Sequence, residues 1–199
     1  STAHVYSDNL QGSISEETFP NNKNNNYAIT KLAAENKIKE LCVDTNLNYL
    51  ILRISNVFGM PIIENTQCNN LLVHDLCQQC FTNKSIKLNS KINSFRDFIT
   101  INDFVNFINY LYSNIELSKK YEVLNIGSGI TTSILDIAKL IKKNYHSKFN
   151  REITINYKFE KNFTNNFEFN IQKLKETGFV LKNDYNETIE QILKIYNQN

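Results

Sequence analysis

Tyr27-Ala-Ile-Thr-Lys31, and after it Asn48-Tyr-Leu-Ile-Leu-Arg-Ile54, are the stretches whose reading decides the fold. Around the first, the apolar residues Ile29, Leu32, Ala33, Ile38 and Leu41 recur at helical spacing, which predicts a helix from Tyr27 to about Thr45. The second is a short apolar run flanked by polar residues, as expected of a strand buried on both faces. A helix followed by a doubly buried strand is the repeating unit of an α/β protein with a parallel sheet.

The same alternation continues outward. Thr2–Tyr6 reads as a strand end and Ser7–Asn26 as a polar, solvent-facing loop closing on the Asn-rich NNKNNN. Beyond a loop with Gly59 and Pro61, the pattern predicts a helix over Asn69–Thr82, short strands at Ser85–Leu88 and Phe95–Thr100, and a helix over Asn102–Ser113. A strand at Tyr121–Ile126 ends in Gly127-Ser128-Gly129. An amphipathic helix follows over Ser133–Tyr145, then a strand at Glu152–Tyr157 and short helices near Ile171–Thr177 and Glu187–Tyr196.

Composition removes several function classes. The 199 residues are 41% hydrophobic and 21% charged, a globular balance that allows a real core. With 22 basic against 20 acidic residues the net charge is +2, and the lysines are scattered. Nothing resembles the basic stripe of a nucleic-acid binder. No apolar run approaches the roughly 20 residues that span a bilayer. Cys42, Cys68, Cys77 and Cys80 form no disulfide framework. Cys77 and Cys80 make a C-x-x-C inside a helical pattern, without a second pair for zinc or a preceding strand-to-helix turn for redox work. Four reduced thiols in a cytoplasmic protein without a metal is the better reading.

Chemistry concentrates at Tyr27 and Lys31. Positions i and i+4 share a helix face, so phenol and ammonium can converge on one site. A neighbouring positive charge stabilises phenolate, which suits a tyrosine to take a proton from an alcohol and to return it in reverse. The spacing alone also arises by chance on helices whose Tyr is half-buried and whose Lys is solvated.

Three further blocks stand in order around it: Ser1-Thr2-Ala3-His4-Val5-Tyr6, then Leu52-Arg53-Ile54-Ser55-Asn56-Val57-Phe58-Gly59, then Arg96-Asp97-Phe98-Ile99. Together the four blocks resemble the extended short-chain dehydrogenase/reductase family, the NAD-dependent epimerases and dehydratases that modify sugar nucleotides. That family's pattern runs S-[ST]-x-x-V-Y-G, Y-x-x-x-K, L-R-x-x-N-V-x-G and R-D-[FY]-[IV]-H-V. The resemblance covers essentially the whole chain. It implies the C-terminal part of a Rossmann-like doubly wound parallel sheet, with a smaller α/β substrate-binding domain. Residues 1–60 would form the second half of the Rossmann-like domain, and 61–199 mainly the substrate domain, returning to the sheet near 95–126.

The resemblance also implies roles. Thr2 matches the hydroxyl that bonds the reacting sugar oxygen, Tyr27 the acid/base, and Lys31 the lysine that tunes the phenol and holds the nicotinamide ribose. The backbone of Ile54 and Ser55 would lie beside the nicotinamide. Asn56 and Asn70 match contacts to the substrate's nucleotide diphosphate, and Arg96 matches a phosphate-binding arginine. Asp97 would orient Arg96 or cap a strand end. The cofactor implied is NAD or NADP, the substrate a nucleotide sugar, and a homodimer through the Tyr27–Thr45 helix is plausible by the same token.

The departures are informative. Ser7 replaces the usual Gly after V-Y, and Asn26 the common Pro before the tyrosine. Ala3 and His4 occupy positions where 4,6-dehydratases carry an Asp-Glu pair; alanine cannot move the protons of water elimination, which argues against that dehydratase. His4 reads as a packing or polar contact more than a catalyst, and His74 and His146 as surface or helix-face residues. The family's G-x-x-G-x-x-G pyrophosphate turn does not occur in these residues, and Gly127-Ser128-Gly129 matches a different family loop (N-[IV]-G-S-G). The expectation is therefore a portion of a longer enzyme, an epimerase or reductase working by hydride transfer at a sugar carbon, C4 foremost, with the isolated portion inactive. A non-catalytic binding or scaffold relative is the alternative, weighed down by the retention of Thr2, Tyr27 and Lys31.

Overall fold

A computed structural model describes residues 1–7, 10–43, 45, 47–62, 68, 70–88, 94–158 and 167–198. After a single 3-10 turn at Ala3–Val5 come β1 (Gly12–Ile14), α1 (Asn26–Val43), β2 (Ile51–Ile54), β3 (Asn56–Phe58) and α2 (Leu72–Thr82). Then follow β4 (Ser85–Lys87), β5 (Phe95–Thr100), α3 (Ile101–Ser113), α4 (Leu117–Lys120) and β6 (Val123–Ile126). The chain finishes with β7 (Thr131–Ser133), α5 (Ile134–Phe149), β8 (Thr154–Asn156), β9 (Phe167–Phe169), α6 (Gln172–Glu176) and α7 (Tyr185–Gln198).

The segment Ile51–Phe58 links the two halves of the sheet. Its first half, β2, pairs in parallel with β6, Ile51 opposite Val123 and Ile54 opposite Ile126. At Ser55 the strand changes partner. The Ser55 N–H still donates to the Ile126 carbonyl (2.8 Å), but β3 then pairs in parallel with β5, which is itself antiparallel to β7. Two strands diverging from one line open a crevice at the fork, the place where α/β sheets bind ligands.

Among the described residues, apolar side chains gather in two cores. One holds Leu76, Cys77, Ile137, Ile141, Ile192 and Leu193 from α2, α5 and α7, against Phe58, Ile86 and Phe98. The other holds Val5, Tyr6, Ile14, Ile99, Phe107, Leu124, Ile126 and Phe169. Successive residues of a strand face opposite ways, so Phe98 serves the first core and Ile99 the second.

Local chemistry sets the helix starts. Asn25 accepts from the N–H groups of Tyr27 (3.0 Å) and Ala28 (3.3 Å) through Oδ1, satisfying two orphan donors of α1. Thr100 and Ser133 do the same for α3 and α5, accepting from Asp103 and Asp136.

Several expectations need correction. Thr2–Tyr6 is not a strand end: Thr2 makes one parallel bridge to Ile54 and the chain then turns through Ala3–Val5. The Ser7–Asn26 stretch is not simply a solvent-facing loop. Gly12–Ile14 pairs in parallel with Phe167–Phe169, Ile14 is buried, and Asn22 is buried with its amide donating to the His4 carbonyl (2.8 Å). His74 is no surface residue either, being 1% exposed between the Gly59 carbonyl (2.9 Å) and the Tyr196 hydroxyl (3.1 Å). His146 does stand at the surface, 3.1 Å from Glu152. Cys77 and Cys80 pack in the α2 core, where burial pushes both thiols up, Cys80 to about 12, away from the reactive thiolate. Asp8, Asn9, Asp44 and Asn69, at the margins of expected elements, lie outside the described residues.

Candidate active site

The fork at Ser55 brings together pieces from five elements. A cavity of about 290 Å³ is lined by Thr2 and His4 from the 3-10 turn, Tyr27 from α1, Ser55 and Asn56 from the strand fork, Asn70–Val73 at the start of α2, and Arg96 and Phe98 from β5. A second cavity, about 260 Å³, shares His4, Ser55, Asn56 and Arg96 and adds an aromatic wall of Phe95, Phe167 and Phe169. Six of the eight residues expected from the sequence thus line one cavity: Thr2, Tyr27, Ser55, Asn56, Asn70 and Arg96. Lys31 and Ile54 stand behind the lining. The Lys31 ammonium lies 5.5 Å from the Tyr27 ring centre, and the Ile54 backbone is paired with Thr2 and Ile126.

Each side chain is held differently. Thr2 is 5% exposed, and its Oγ1 accepts from the His4 N–H at 3.3 Å. That bond occupies acceptor capacity and leaves the hydroxyl proton to donate into the cavity. Tyr27, the second residue of α1, is 53% exposed and meets the His4 ring edge-on at 6.4 Å. Asn56 is pinned by its amide donating to the Asp97 carbonyl (2.8 Å), which leaves its own Oδ1 toward the cavity side. The Ser55 hydroxyl is buried without a hydrogen-bond partner among the described residues.

Electrostatics favour an anion. None of the residues lining the first cavity is a carboxylate, whereas Arg96 lines both cavities and makes no ion pair among the described residues. Burial depresses the Arg96 guanidinium from its ordinary value, without removing its charge. The first turn of α2 adds to this. Leu71 is the residue before that helix and supplies no side-chain cap, and Leu71, Leu72 and Val73 line the cavity at the positive end of the helix dipole.

Asp97 does not orient Arg96. Its carboxylate accepts from the Ser128 N–H (2.9 Å), the Ser128 hydroxyl (2.9 Å) and the Ile130 N–H (3.1 Å), so it ties the Gly127–Ile130 loop to β5. Burial pushes this carboxyl up, and those donors hold it back. Glycine at 127 is a requirement of that knot, since a Cβ there would sit 2.4 Å from Asp97 Oδ1 and 2.7 Å from the Phe169 ring. The sequence did not reveal the helix start at Leu71–Val73 or the phenylalanine wall as parts of the site, because both reach it only through folding.

Fold and cavity together define an α/β protein in which Thr2 and Tyr27 line a cavity at a sheet fork, with Lys31 behind Tyr27 and the start of α2 across from them. A family model described as the NAD dependent epimerase/dehydratase family matches residues 1–127, and the chain belongs to that family. It is 34% identical over 122 residues to a dTDP-L-rhamnose 4-epimerase of Burkholderia thailandensis, covering 60% of this chain and 32% of that protein. It is 26% identical to an ADP-L-glycero-D-manno-heptose-6-epimerase of Brachyspira hyodysenteriae, covering 90% and 56%. Among solved structures, UDP-glucuronic acid 4-epimerase of Bacillus cereus in complex with NAD overlays all of this chain and 58% of its own length, at a TM-score of 0.78 and 23% identity. The chain therefore spans about a third to just over half the length of these curated relatives. No helix among the described residues is long and apolar enough to cross a membrane.

Proposed function

We propose that these residues are the proton-transfer and substrate-binding part of an NAD(P)-dependent nucleotide-sugar epimerase or oxidoreductase acting at a sugar carbon, C4 foremost. The observation that carries this reading is the convergence of Thr2, Tyr27, Asn56, Asn70 and Arg96 on one cavity of about 290 Å³ with no carboxylate in its lining. Residues 1–60 would then belong with the cofactor-binding domain and 61–199 mainly with the substrate domain, meeting at the Ser55 fork.

The residues fit both ligands. Arg96, Asn70 and the α2 N-terminus offer a guanidinium, an amide and backbone donors suited to a diphosphate. Lys31, in no ion pair among the described residues, and the backbone at Ile54 and Ser55 would hold the nicotinamide side. When bound, the nicotinamide supplies the acceptor and donor of hydride. Thr2 donates its hydroxyl to the reacting sugar oxygen and fixes it beside Tyr27. Tyr27 takes that oxygen's proton as the carbon gives up hydride, and returns it in reverse. The Lys31 ammonium stands 5.5 Å from the centre of that ring, one turn along the same helix face. Ala3 and His4 offer no carboxyl pair for eliminating water, so the sugar keeps its hydroxyls. Ile29, Ile38, Leu41 and Val43, between 43% and 78% exposed on α1, support pairing of this helix with its copy in a homodimer.

The test incubates the full-length protein with a panel of UDP-, dTDP- and ADP-sugars and NAD or NADP, and follows epimer or keto product by NMR. Tyr27→Phe should lower kcat by roughly 10²–10⁴-fold and leave the melting temperature unmoved, because the residue is 53% exposed. A Tyr27→Phe enzyme as active as the parent sinks the reading, as does a full-length protein that neither turns over nor binds any nucleotide sugar.

A further inference from the structure

α1 carries Tyr27 and Lys31, and among the described residues its buried side chains are Ala28 and Glu35, with Leu32 packed partly buried against the core of Val5 and Ile126. Glu35 stands one helical turn beyond Lys31, and its carboxylate meets Arg53 through a two-pronged contact: Nε to Oε1 at 3.1 Å and Nη2 to Oε2 at 2.8 Å. Both side chains are nearly sealed, at 4% and 3% exposure. Arg53 immediately precedes Ile54 and Ser55 on β2. Glu35 Oε1 also accepts from the Ser1 hydroxyl at 2.5 Å, next to Thr2. Beneath, the Arg53 guanidinium lies 4.8 Å from the Tyr6 ring centre, and the Tyr6 hydroxyl donates to Asn125 Oδ1 on β6 (2.6 Å). One buried carboxylate therefore touches the three segments that carry Thr2, Tyr27 with Lys31, and Ile54 with Ser55.

We propose that the Glu35–Arg53 pair is a positioning clamp for the proton-transfer site. Two parallel bonds between planar groups fix the rotation of α1 about its axis as well as its distance from β2, which one point contact cannot do. Rotation is the coordinate that matters. A roll of α1 about its axis swings the Tyr27 hydroxyl away from Thr2. Displacements near 1 Å at a reacting group cost about 100-fold in rate. The clamp rests on the proposed function for what it aligns; its mechanical part stands apart from it.

The decisive variant in the full-length protein is the double change Glu35→Met/Arg53→Met. Replacing both buried charges by apolar groups of similar length keeps or restores stability, so a purely structural pair is dispensable in this background. The clamp predicts otherwise. With melting temperature preserved, amides of Ala28–Leu32 should exchange about tenfold faster or more while those of Leu52 and Leu124 stay as in the parent. In the same protein kcat should fall at least about tenfold, with KM for the nucleotide sugar within about threefold. Arg53→Lys, which keeps the charge and loses the fork, should lower kcat in the same direction at unchanged melting temperature, and covers the case of a double variant that does not fold. Unchanged exchange over Ala28–Leu32, or parental kcat in either stably folded variant, overturns the clamp. Should the parent turn over no nucleotide sugar, the functional reading fails while the exchange contrast still decides the clamp.

Discussion

The helix bearing Tyr27 and the helices around Ile137 are held by opposite means. α2, α5 and α7 interlock through a dry cluster in which Leu76, Cys77, Ile137, Ile141, Ile192 and Leu193 are at most 1% exposed. α1 leaves Ile29, Ile38, Leu41 and Val43 in the open and reaches the sheet through a buried ion pair. Apolar packing is strong and tolerant of small slides, since it is proportional to area and has no direction. A forked ion pair contributes little net stability but is strict about geometry. Among the described residues, α2, α5 and α7 are thus held by buried area, and α1 is tied to β2 by a contact of fixed direction.

The contrast can be broken most forcefully in the packed region. Ile137→Ala should cost about 2–5 kcal/mol, read as a lowered denaturant midpoint with unchanged slope, and should leave kcat of the folded fraction intact. An intermediate effect concerns acid. Burial pushes the Glu35 carboxyl up, but the Arg53 guanidinium and Ser1 hydroxyl pull it further down, and its net position is below the ordinary carboxylate range. A depressed carboxyl contributes stability above the unfolded pKa and loses it as pH falls through the folded one. Glu35→Gln should therefore flatten the acid limb of stability below about pH 4.5, measured by urea unfolding at stepped pH. Asp97 works the other way, because its raised carboxyl makes stability decline as pH rises through the folded value. The smallest effect on folding belongs to the exposed face of α1. Leu41→Arg should change monomer stability by no more than about 0.5 kcal/mol and, on the homodimer proposed above, shift the protein from dimer to monomer by light scattering.

Much of this molecule was legible in advance, for reasons that differ by element. Phe95–Thr100 was expected as a strand at its observed bounds, and the helices around Leu72–Thr82 and Ile134–Phe149 were found within a few residues. Each has enough residues for its apolar period to show. Gly12–Ile14 and Phe167–Phe169 were not foreseen. Three residues carry no period, and the pairing that makes them strands joins segments about 155 positions apart. Thr2–Tyr6 failed for a related reason: a strand-like composition was overruled when Thr2 capped a 3-10 turn with its own hydroxyl.

By itself, the order and spacing of four short blocks determined the family and the α/β class, because those properties depend on residue type and on helical and strand periodicity. Only the tertiary structure decided what surrounds them. It turned Asp97 from an expected partner of Arg96 into the knot of the Gly127–Ile130 loop, and sealed His74 between Gly59 and Tyr196. It also placed Glu35 against Arg53. Such contacts join residues far apart in the chain, and a buried polar group takes the partner that desolvation forces on it, which local sequence does not encode.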